Sequence, residues 1–358
     1  MIDHQVLLEK LALLGFDRQI LVWIENFLVG RTMRVSVGGE YSRRQDITSG
    51  VPQGSVLGPI LFLIYVNSLM DGVECTWKAF ADDFKLCAYS SEQGVNGNEV
   101  AALQRDLDRI HRKGLECSLI LNPDKCMIMR FGRGSASGPP QYTLEGRHLN
   151  VVNQYKDLGV WVDNKLKFHH HVRVASGKAG GLVSELLRST VCRDPDFMVT
   201  LYVSHIRPLM DYCCVFWNSG YLGNTRMLES VQRRWTREIT VVQHLNYEER
   251  LKAISLYSVH GRMLRVELVK VWKCFNAGVD LGLAETLERA QYAGTRGHQY
   301  KLAVPVSRSE VGRRRFGARR DTIEIWNSLP STVVESNSID TFKRLLDIQL
   351  DDKLYKTV

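Results

Sequence analysis

Two adjacent aspartates, Asp82 and Asp83, are the residues of this chain best suited to chemistry. They lie in the stretch KAFADDFKLCAYS, between two runs rich in apolar and aromatic residues. Two carboxylates this close resist ionising together unless a cation lies between them. Such oxygen-rich sites suit Mg²⁺, which also takes ligands from substrate phosphates. The pair therefore indicates in-line displacement at a phosphate with two metal ions. For the dipeptide alone, a solvated Asp-Asp turn is the simpler explanation.

A glycine-rich stretch, SGVPQGSVLGP, precedes the aspartates. Gly50, Gly54 and Gly58 would let the backbone approach a ligand closely, and Gln53 and Ser55 add hydrogen-bonding side chains. The helix predicted after it would present free N–H groups that favour phosphate. Taken alone, the stretch is better explained as an ordinary turn before a core helix.

The surrounding pattern predicts the elements that position these residues. Neighbouring residues of a strand point to opposite faces, so both aspartates can serve one site only at the turn of a hairpin. Strand-like residues at 75–80 and 84–89 permit that hairpin. Two helices, the second capped by Asp17, and a hairpin at Gly38-Gly39 should precede it, together with a buried helix over 56–69. A helix capped by Asn98, a strand over 126–131 and a hairpin at YKDLGVWVD should follow.

The order of these elements resembles the palm of a reverse transcriptase, specifically that of non-LTR (LINE-like) retrotransposons. GVPQGSVLGPILFLIYVNSL is similar to motif B of that family, and FADD to motif C, the metal-binding hairpin. LNPDKCMIMRFG resembles motif D, and YKDLGVWVD resembles motif E, the primer grip. The helical remainder also resembles family members, for example at RMLESVQRRWTREI and TRGHQYKL.

The resemblance implies a role for each matching residue. Asp82 and Asp83 would bind the metal, Mg²⁺ with Mn²⁺ as the alternative, and Lys125 would lie near the triphosphate as a proton donor to pyrophosphate. The residues facing the nucleotide and template would be Pro52, Gln53, Gly54, Ser55 and Phe80, the last at a position where many relatives have tyrosine. Tyr155, Leu158 and Gly159 would support the primer end. The implied partners are an RNA template, a DNA primer and deoxynucleoside triphosphates.

The same resemblance predicts that a third carboxylate is missing. The family carries it in motif A, and the opening MIDHQVLLEKL aligns only with the end of that motif. We therefore expect an N-terminally truncated chain that lacks the fingers and polymerises poorly by itself. Asp3 is expected to be a surface or helix-capping residue rather than a metal ligand.

These features predict an α+β fold with three parts. Residues 1–163 would form a partial palm, an antiparallel sheet with helices, and 164–290 a helical thumb-like region. Residues 291–358 would form a basic C-terminal extension with a terminal helix. The stretch 132–140 is predicted to be a flexible loop.

Charge favours a nucleic-acid partner without proving one. The net charge is +8, and Arg313, Arg314 and Arg315 lead a set of basic residues that could contact phosphates or remain a solvated loop. The wider set includes Arg296, Lys301, Arg308, Arg319 and Arg320. No apolar run is long enough to span a bilayer. The start MIDHQVLLEKL is charged from its third residue, unlike a signal peptide, and the eight cysteines have no regular spacing. We therefore expect an intracellular chain of the nucleus or cytoplasm. The sequence does not indicate an oligomeric state.

Other candidate sites favour structural explanations. His169, His170 and His171 are consecutive, so on a helix they would diverge and form a solvated face. Cys192, His205, Cys213 and Cys214 lack the paired spacing of zinc sites. Four tryptophans, Trp217, Trp235, Trp272 and Trp326, are expected in the core.

Two rival interpretations stay open beside a polymerase. The chain could be a non-catalytic nucleic-acid-binding remnant of a retroelement. It could also be a product without selected function, destabilised by an unpaired strand edge in the palm.

Overall fold

A computed structural model gives the structure of the chain over residues 2–89, 97–132, 141–276, 286–290 and 298–357. Helices predominate in this part, and the strands pair only two by two, in six separate two-stranded sheets. The mixed α and β class is thus confirmed. The chain divides into two compact units, the first unit Met1–Val152 and the second unit Asn153–Val358.

The described residues of the first unit form four α-helices and ten short strands. The helices are α1 (His4–Leu13), α2 (Arg18–Leu28), α3 (Leu57–Asn67) and α4 (Gly97–Glu116). The strands are β1 (Thr32–Met33), β2 (Ser36–Val37), β3 (Glu40–Tyr41), β4 (Gln45–Asp46), β5 (Thr76–Phe80), β6 (Asp83–Cys87), β7 (Met127–Ile128), β8 (Thr143–Leu144), β9 (Arg147–His148) and β10 (Asn150–Val151). Four antiparallel pairs form, β1–β4, β2–β3, β5–β6 and β8–β9, and β7 pairs with β10 in parallel.

Local sequence explains how the first helices begin. The Asp3 carboxylate accepts the Gln5 and Val6 N–H groups, and Asp17 accepts that of Gln19, so two donors of α1 and one of α2 gain partners. The predicted cap at Asp17 and the capping role expected of Asp3 are confirmed. Helix α4 begins at Gly97, before the predicted cap Asn98, whose side chain lies outside the described residues.

The core of the first unit joins α1, α2 and α3. Its members are buried apolar residues: Leu7, Leu11, Ile24, Leu28, Leu61, Tyr65, Val66, Leu69, Met70, Ile110 and Ile2. The buried helix predicted over 56–69 is found as α3, but Ile60 and Leu63 on it are each 51% exposed. The helix buries one face only.

Three strand predictions need correction. The hairpin predicted at Gly38-Gly39 is found as β2–β3, but the strand that leads into it is broken into β1 and β2, and Met33, Val35 and Val37 there are exposed. The strand predicted over 126–131 is reduced to β7. A continuous antiparallel palm sheet is not found among the described strands, where the hairpin β5–β6 has no third partner.

The second unit opens with a hairpin and continues with helices. The hairpin is β11 (Gln154–Asp157) and β12 (Val160–Asp163). The two compact units divide before this hairpin, between Val152 and Asn153, whereas the boundary predicted at 163 would fall after it. The helices are α5 (His169–Ser189), α6 (Pro195–Leu201), α7 (Arg207–Asp211), α8 (Cys214–Trp217), α9 (Leu222–Arg237), α10 (Tyr247–Ala253), α11 (Val259–Asn276), α12 (Glu310–Arg314), α13 (Arg320–Ser328), α14 (Ser331–Val334) and α15 (Ile339–Leu350). A single turn of π-helix, Tyr202–Ile206, separates α6 from α7.

Aromatic and aliphatic residues build the core of the second unit. Trp217, Trp235, Trp272 and Trp326 are all at most 5% exposed, which confirms the prediction that they are core residues. One cluster spans residues 264–354, including Leu287 and Leu302, across the position 290 where a further boundary is predicted. The three-part division stays a prediction, and the loop predicted at 132–140 lies almost entirely outside the described residues. None of the described helices is both long and apolar enough to cross a membrane.

Candidate active site

The two aspartates lie at the tip of a tight hairpin. Phe80, the last residue of β5, pairs with Asp83, the first residue of β6, so Ala81 and Asp82 form a two-residue turn. Ala81 takes a left-handed φ of 52°, as primed hairpin turns require at this position. Both aspartates and Phe80 are exposed. The predicted hairpin is confirmed, and it presents two carboxylates to solvent at one end.

A buried carboxylate on α4 anchors the base of this hairpin. Asp106 is 0% exposed, and its oxygens accept the backbone N–H groups of Glu74, at 3.0 and 3.1 Å, and of Cys75, at 2.8 Å. Arg109 donates to the same carboxylate at 2.9 Å and also to the carbonyl of Gly72. Burial alone would raise the pKa of Asp106, but these donors outweigh it and hold the pKa below its usual value. The chain entering β5 is thereby fixed.

Sequence analysis did not single out Asp106, although a signal was present. Asp106 follows Leu103 by three residues and precedes Ile110 by four, so it lies on the apolar face of α4. A charged residue in that position must find partners when the helix packs.

The hairpin and the glycine-rich turn belong to one core. Phe84 and Leu86 of β6 pack against the core of the first unit, as do Val51 and Leu57 at the two ends of the turn. The same hydrophobic cluster therefore holds both stretches that the family resemblance assigns to the site.

Hydrogen bonds within the first unit define the glycine-rich turn. The carbonyl of Gly50 accepts from Arg31 Nη2 at 2.8 Å and lies 2.8 Å from His4 Nε2. Ser55 Oγ donates to the carbonyl of Pro52 at 2.7 Å and accepts the Gly58 N–H at 3.0 Å. A Cβ at Gly58 would lie 2.7 Å from the Pro52 carbonyl oxygen, which explains the glycine there.

These contacts separate the residues predicted to face the nucleotide into two kinds. Gln53 and Gly54 are exposed, and Gly54 adopts a left-handed φ of 82°. Pro52 and Ser55 are partly buried and are engaged in the turn itself. Nucleotide contact by this group stays a prediction.

The remaining predicted residues lie on two other elements. Lys125 ends a short 3₁₀ helix, Pro123–Lys125, and is exposed. Tyr155 pairs with Val162 in the hairpin β11–β12, and Leu158 and Gly159 form its turn with φ values of 42° and 90°. The Tyr212 hydroxyl donates to the Leu158 carbonyl at 2.8 Å, a support that sequence analysis missed. The roles of these residues stay predictions.

Comparison with known proteins decides the family. Residues 1–162, which include both hairpins and the glycine-rich turn, match the family described as reverse transcriptase (RNA-dependent DNA polymerase). This segment is a reverse transcriptase segment. The predicted family is therefore confirmed.

Curated relatives of the chain include proteins from non-LTR elements of insects. The chain is 31% identical over 175 residues to the RNA-directed DNA polymerase from mobile element jockey of Drosophila melanogaster, an alignment covering 47% of this chain and 19% of that protein. It is 27% identical over 241 residues to the putative 115 kDa protein in type-1 retrotransposable element R1DM of the same species, covering 65% and 23%. It is 25% identical over 185 residues to the Pol polyprotein from element R2 of Popillia japonica, covering 44% and 28%. The chain thus matches only a fifth to a quarter or so of these relatives.

Two carboxylates of the reverse transcriptase segment are predicted to bind a metal ion. Asp82 and Asp83 supply the oxygen donors that Mg²⁺ and Mn²⁺ prefer. Within the described ranges, no group of three or more histidine, cysteine, aspartate or glutamate side chains is placed to hold a metal ion. The residues present therefore fit part of a divalent-metal site.

The histidine run differs from its prediction. His171 is only 7% exposed, and its Nδ1 accepts the Trp161 N–H at 3.3 Å, so the expected solvated face is wrong at this position. Burial, together with the neighbouring His170, lowers the pKa of His171. His169 Nδ1 lies 2.6 Å from Asn224 Oδ1. Helix α5 turns these rings toward β12 and α9, which the sequence did not reveal.

The basic residues of the C-terminal part differ in exposure and in their hydrogen-bond partners. Arg313 is exposed, whereas Arg314 donates to the carbonyls of Ser219 and Gly220 and Arg315 to that of Thr286. Arg319 is almost completely buried. It is 7% exposed and pairs at 2.8 Å with buried Glu267. Burial raises the pKa of Glu267, and the charge of Arg319 lowers it only part of the way back. Arg296 lies outside the described residues.

Proposed function

We propose that the chain carries part of the catalytic site of an RNA-directed DNA polymerase of a retroelement. It would extend the 3′-hydroxyl of a DNA primer on an RNA template, with deoxynucleoside triphosphates as substrates. One observation carries this proposal: a segment matching the reverse transcriptase family presents two adjacent carboxylates at the exposed tip of an anchored hairpin.

Each predicted site residue has its own role in this proposal. Asp82 and Asp83 would hold a divalent cation, Mg²⁺ or in its place Mn²⁺, which supplies charge stabilisation for the displacement at phosphorus. Asp82, at the turn, is the direct ligand in this proposal. Gln53 and Gly54 would meet the nucleotide and template, and Lys125 would hold a proton near the departing pyrophosphate. Tyr155, Leu158 and Gly159 would support the primer, and the chain would act inside the cell.

Primer extension with matched variants tests this function. The unaltered chain, Asp82→Asn and the control Asp46→Asn are compared on a labelled DNA primer annealed to RNA, with Mg²⁺ and the four nucleotides. Asp46 lies on β4 and is exposed, so its amide variant removes the same charge from the same unit. We expect Asp82→Asn to lower the rate at least about tenfold and Asp46→Asn to leave it unchanged, because only one of them alters the metal ligands. RNA-templated extension at the same rate in Asp82→Asn as in the unaltered chain would contradict the proposal.

A second function, nucleic-acid binding without catalysis, is favoured by the net charge of +8 and the exposed Arg313. The two functions differ in one result. Salt-dependent RNA binding by a chain that never extends a primer would support the second.

A further inference from the structure

A surface cavity of about 520 Å³ lies in the second unit, and none of its lining residues is one that we assign to catalysis. Four arginines line it: Arg313, Arg314, Arg319 and Arg320. They come from α12, from the N-terminus of α13 and from the residue before it. So many guanidinium groups around one opening point to an anionic ligand.

Two carboxylates also line the cavity, and each is already paired. Glu310 accepts from Arg314 Nε at 3.2 Å, and Asp321 accepts from Arg319 Nη2 at 2.7 Å. These pairs cancel two of the four positive charges. Arg313 and Arg320 are left as the charges that no carboxylate of the cavity balances.

Those two arginines keep donors available. Within the described residues Arg313 is exposed and has no ion pair. Arg320 uses its Nε on Glu324 at 2.8 Å, but the two side chains are 79% and 62% exposed, so this pair contributes little and yields easily. Its terminal nitrogens remain for a ligand.

The wall of the cavity is fixed before any ligand arrives. Arg314 Nη1 donates to the carbonyls of Ser219 and Gly220 at 3.3 and 3.2 Å, and its guanidinium lies 4.1 Å from the centre of the Tyr221 ring. Gly220 has a φ of 66°, and a Cβ there would lie 3.3 Å from Arg319 Nε. Helix α13 begins at the cavity without a side-chain cap from Arg319, which adds the positive end of a helix dipole.

We propose that this cavity binds phosphate groups of a nucleic-acid backbone, with Arg313 and Arg320 as the donors. The choice of a polynucleotide over a free phosphate rests on the proposed function, whereas the phosphate chemistry rests on the cavity itself. Arg313 lines the cavity, whereas Arg315, which belongs to the same basic run, does not.

Two double variants with equal charge test the proposal. Arg313→Gln/Arg320→Gln alters the cavity, and Arg308→Gln/Arg315→Gln removes two charges from the same region without touching it. A fluorescein-labelled single-stranded RNA of 20 nucleotides is titrated with each chain, and anisotropy is read at several salt concentrations. The assay contains no nucleotide and no divalent metal, so its result does not depend on catalysis. Circular dichroism confirms that each variant is folded.

We expect the cavity variant to bind RNA at least about fivefold more weakly and to lose about 1.4 from the slope of log affinity against log salt, at about 0.7 per phosphate contact. The control variant should change both quantities far less. Equal losses in the two variants would overturn the proposal, because affinity would then follow net charge. Inorganic phosphate that raises the melting temperature of the unaltered chain but not of the cavity variant, with RNA affinity equal in both, would also overturn it in favour of a free-phosphate site.

Discussion

Replacing Asp106 by alanine should release the base of the aspartate hairpin. The substitution leaves the Glu74 and Cys75 N–H groups without their acceptor and removes one of the partners of Arg109, which still has the Gly72 carbonyl. Hydrogen bonds to a charged acceptor contribute about 1.5 kcal/mol or more each. The two backbone donors alone therefore account for about 3 kcal/mol, and Arg109, at 32% exposure, can turn to water.

Hydrogen exchange followed by mass spectrometry measures this loss locally. In peptides spanning 72–87, 3 kcal/mol corresponds to roughly a hundredfold faster exchange of the amides that open with the hairpin. Asp106→Asn keeps one acceptor oxygen, so its exchange rate should lie between those of the unaltered chain and Asp106→Ala. Asp108→Ala, on the exposed side of the same helix, is the control. If Asp106→Ala left exchange in 72–87 at the unaltered rate, the hairpin would not depend on this anchor.

Three further outcomes are expected. Arg319→Ala should destabilise the second unit by about 3–5 kcal/mol in urea unfolding, since buried Glu267 would lose its counter-charge, and a loss below about 1 kcal/mol would contradict that pairing. Gly159→Ala should cost about 1–2 kcal/mol in the same measurement, because φ is 90° and the new Cβ would lie 3.1 Å from the Tyr212 ring; an unchanged midpoint would argue against this conformation. Stability of the second unit should be full above about pH 6.5 and fall as the pH drops through the lowered folded pKa of His171, since only the unfolded chain then takes up the proton readily. His171→Gln should flatten this dependence, and an unaltered pH profile in that variant would contradict it. The pKa values of His260 and His298 are also lowered, so part of the pH dependence of stability should remain in the His171→Gln variant.

Local signals were enough to predict the hairpins and caps. A two-residue turn between β-forming runs fixes the register, so Phe80 meets Asp83 as the motif implies. Asp17 caps a helix because its carboxylate reaches a free N–H group of the first turn, an interaction confined to a few residues. Such contacts depend on neighbours in sequence, which the sequence shows directly.

Long-range partners could not be read in the same way. Asp106 on α4 and Glu267 on α11 both lie at apolar positions of their helices, Glu267 three residues after Leu264. The pattern shows that each needs a partner, but not that Cys75 or Arg319 supplies it. The exposure of Ile60 and Leu63 could not be predicted either. A helix that is apolar on all sides gives no indication of which face the core covers.

Binding of Mn²⁺, followed by electron paramagnetic resonance of the free ion, tests the central claim most directly. The measurement needs neither template nor primer, so it reports on the hairpin tip alone. The account predicts that the unaltered chain and Asp46→Asn bind Mn²⁺ with the same affinity, and that Asp82→Asn and Asp83→Asn each bind it at least about tenfold more weakly. Equal Mn²⁺ affinity in all four chains would contradict the claim that these two carboxylates form a metal site.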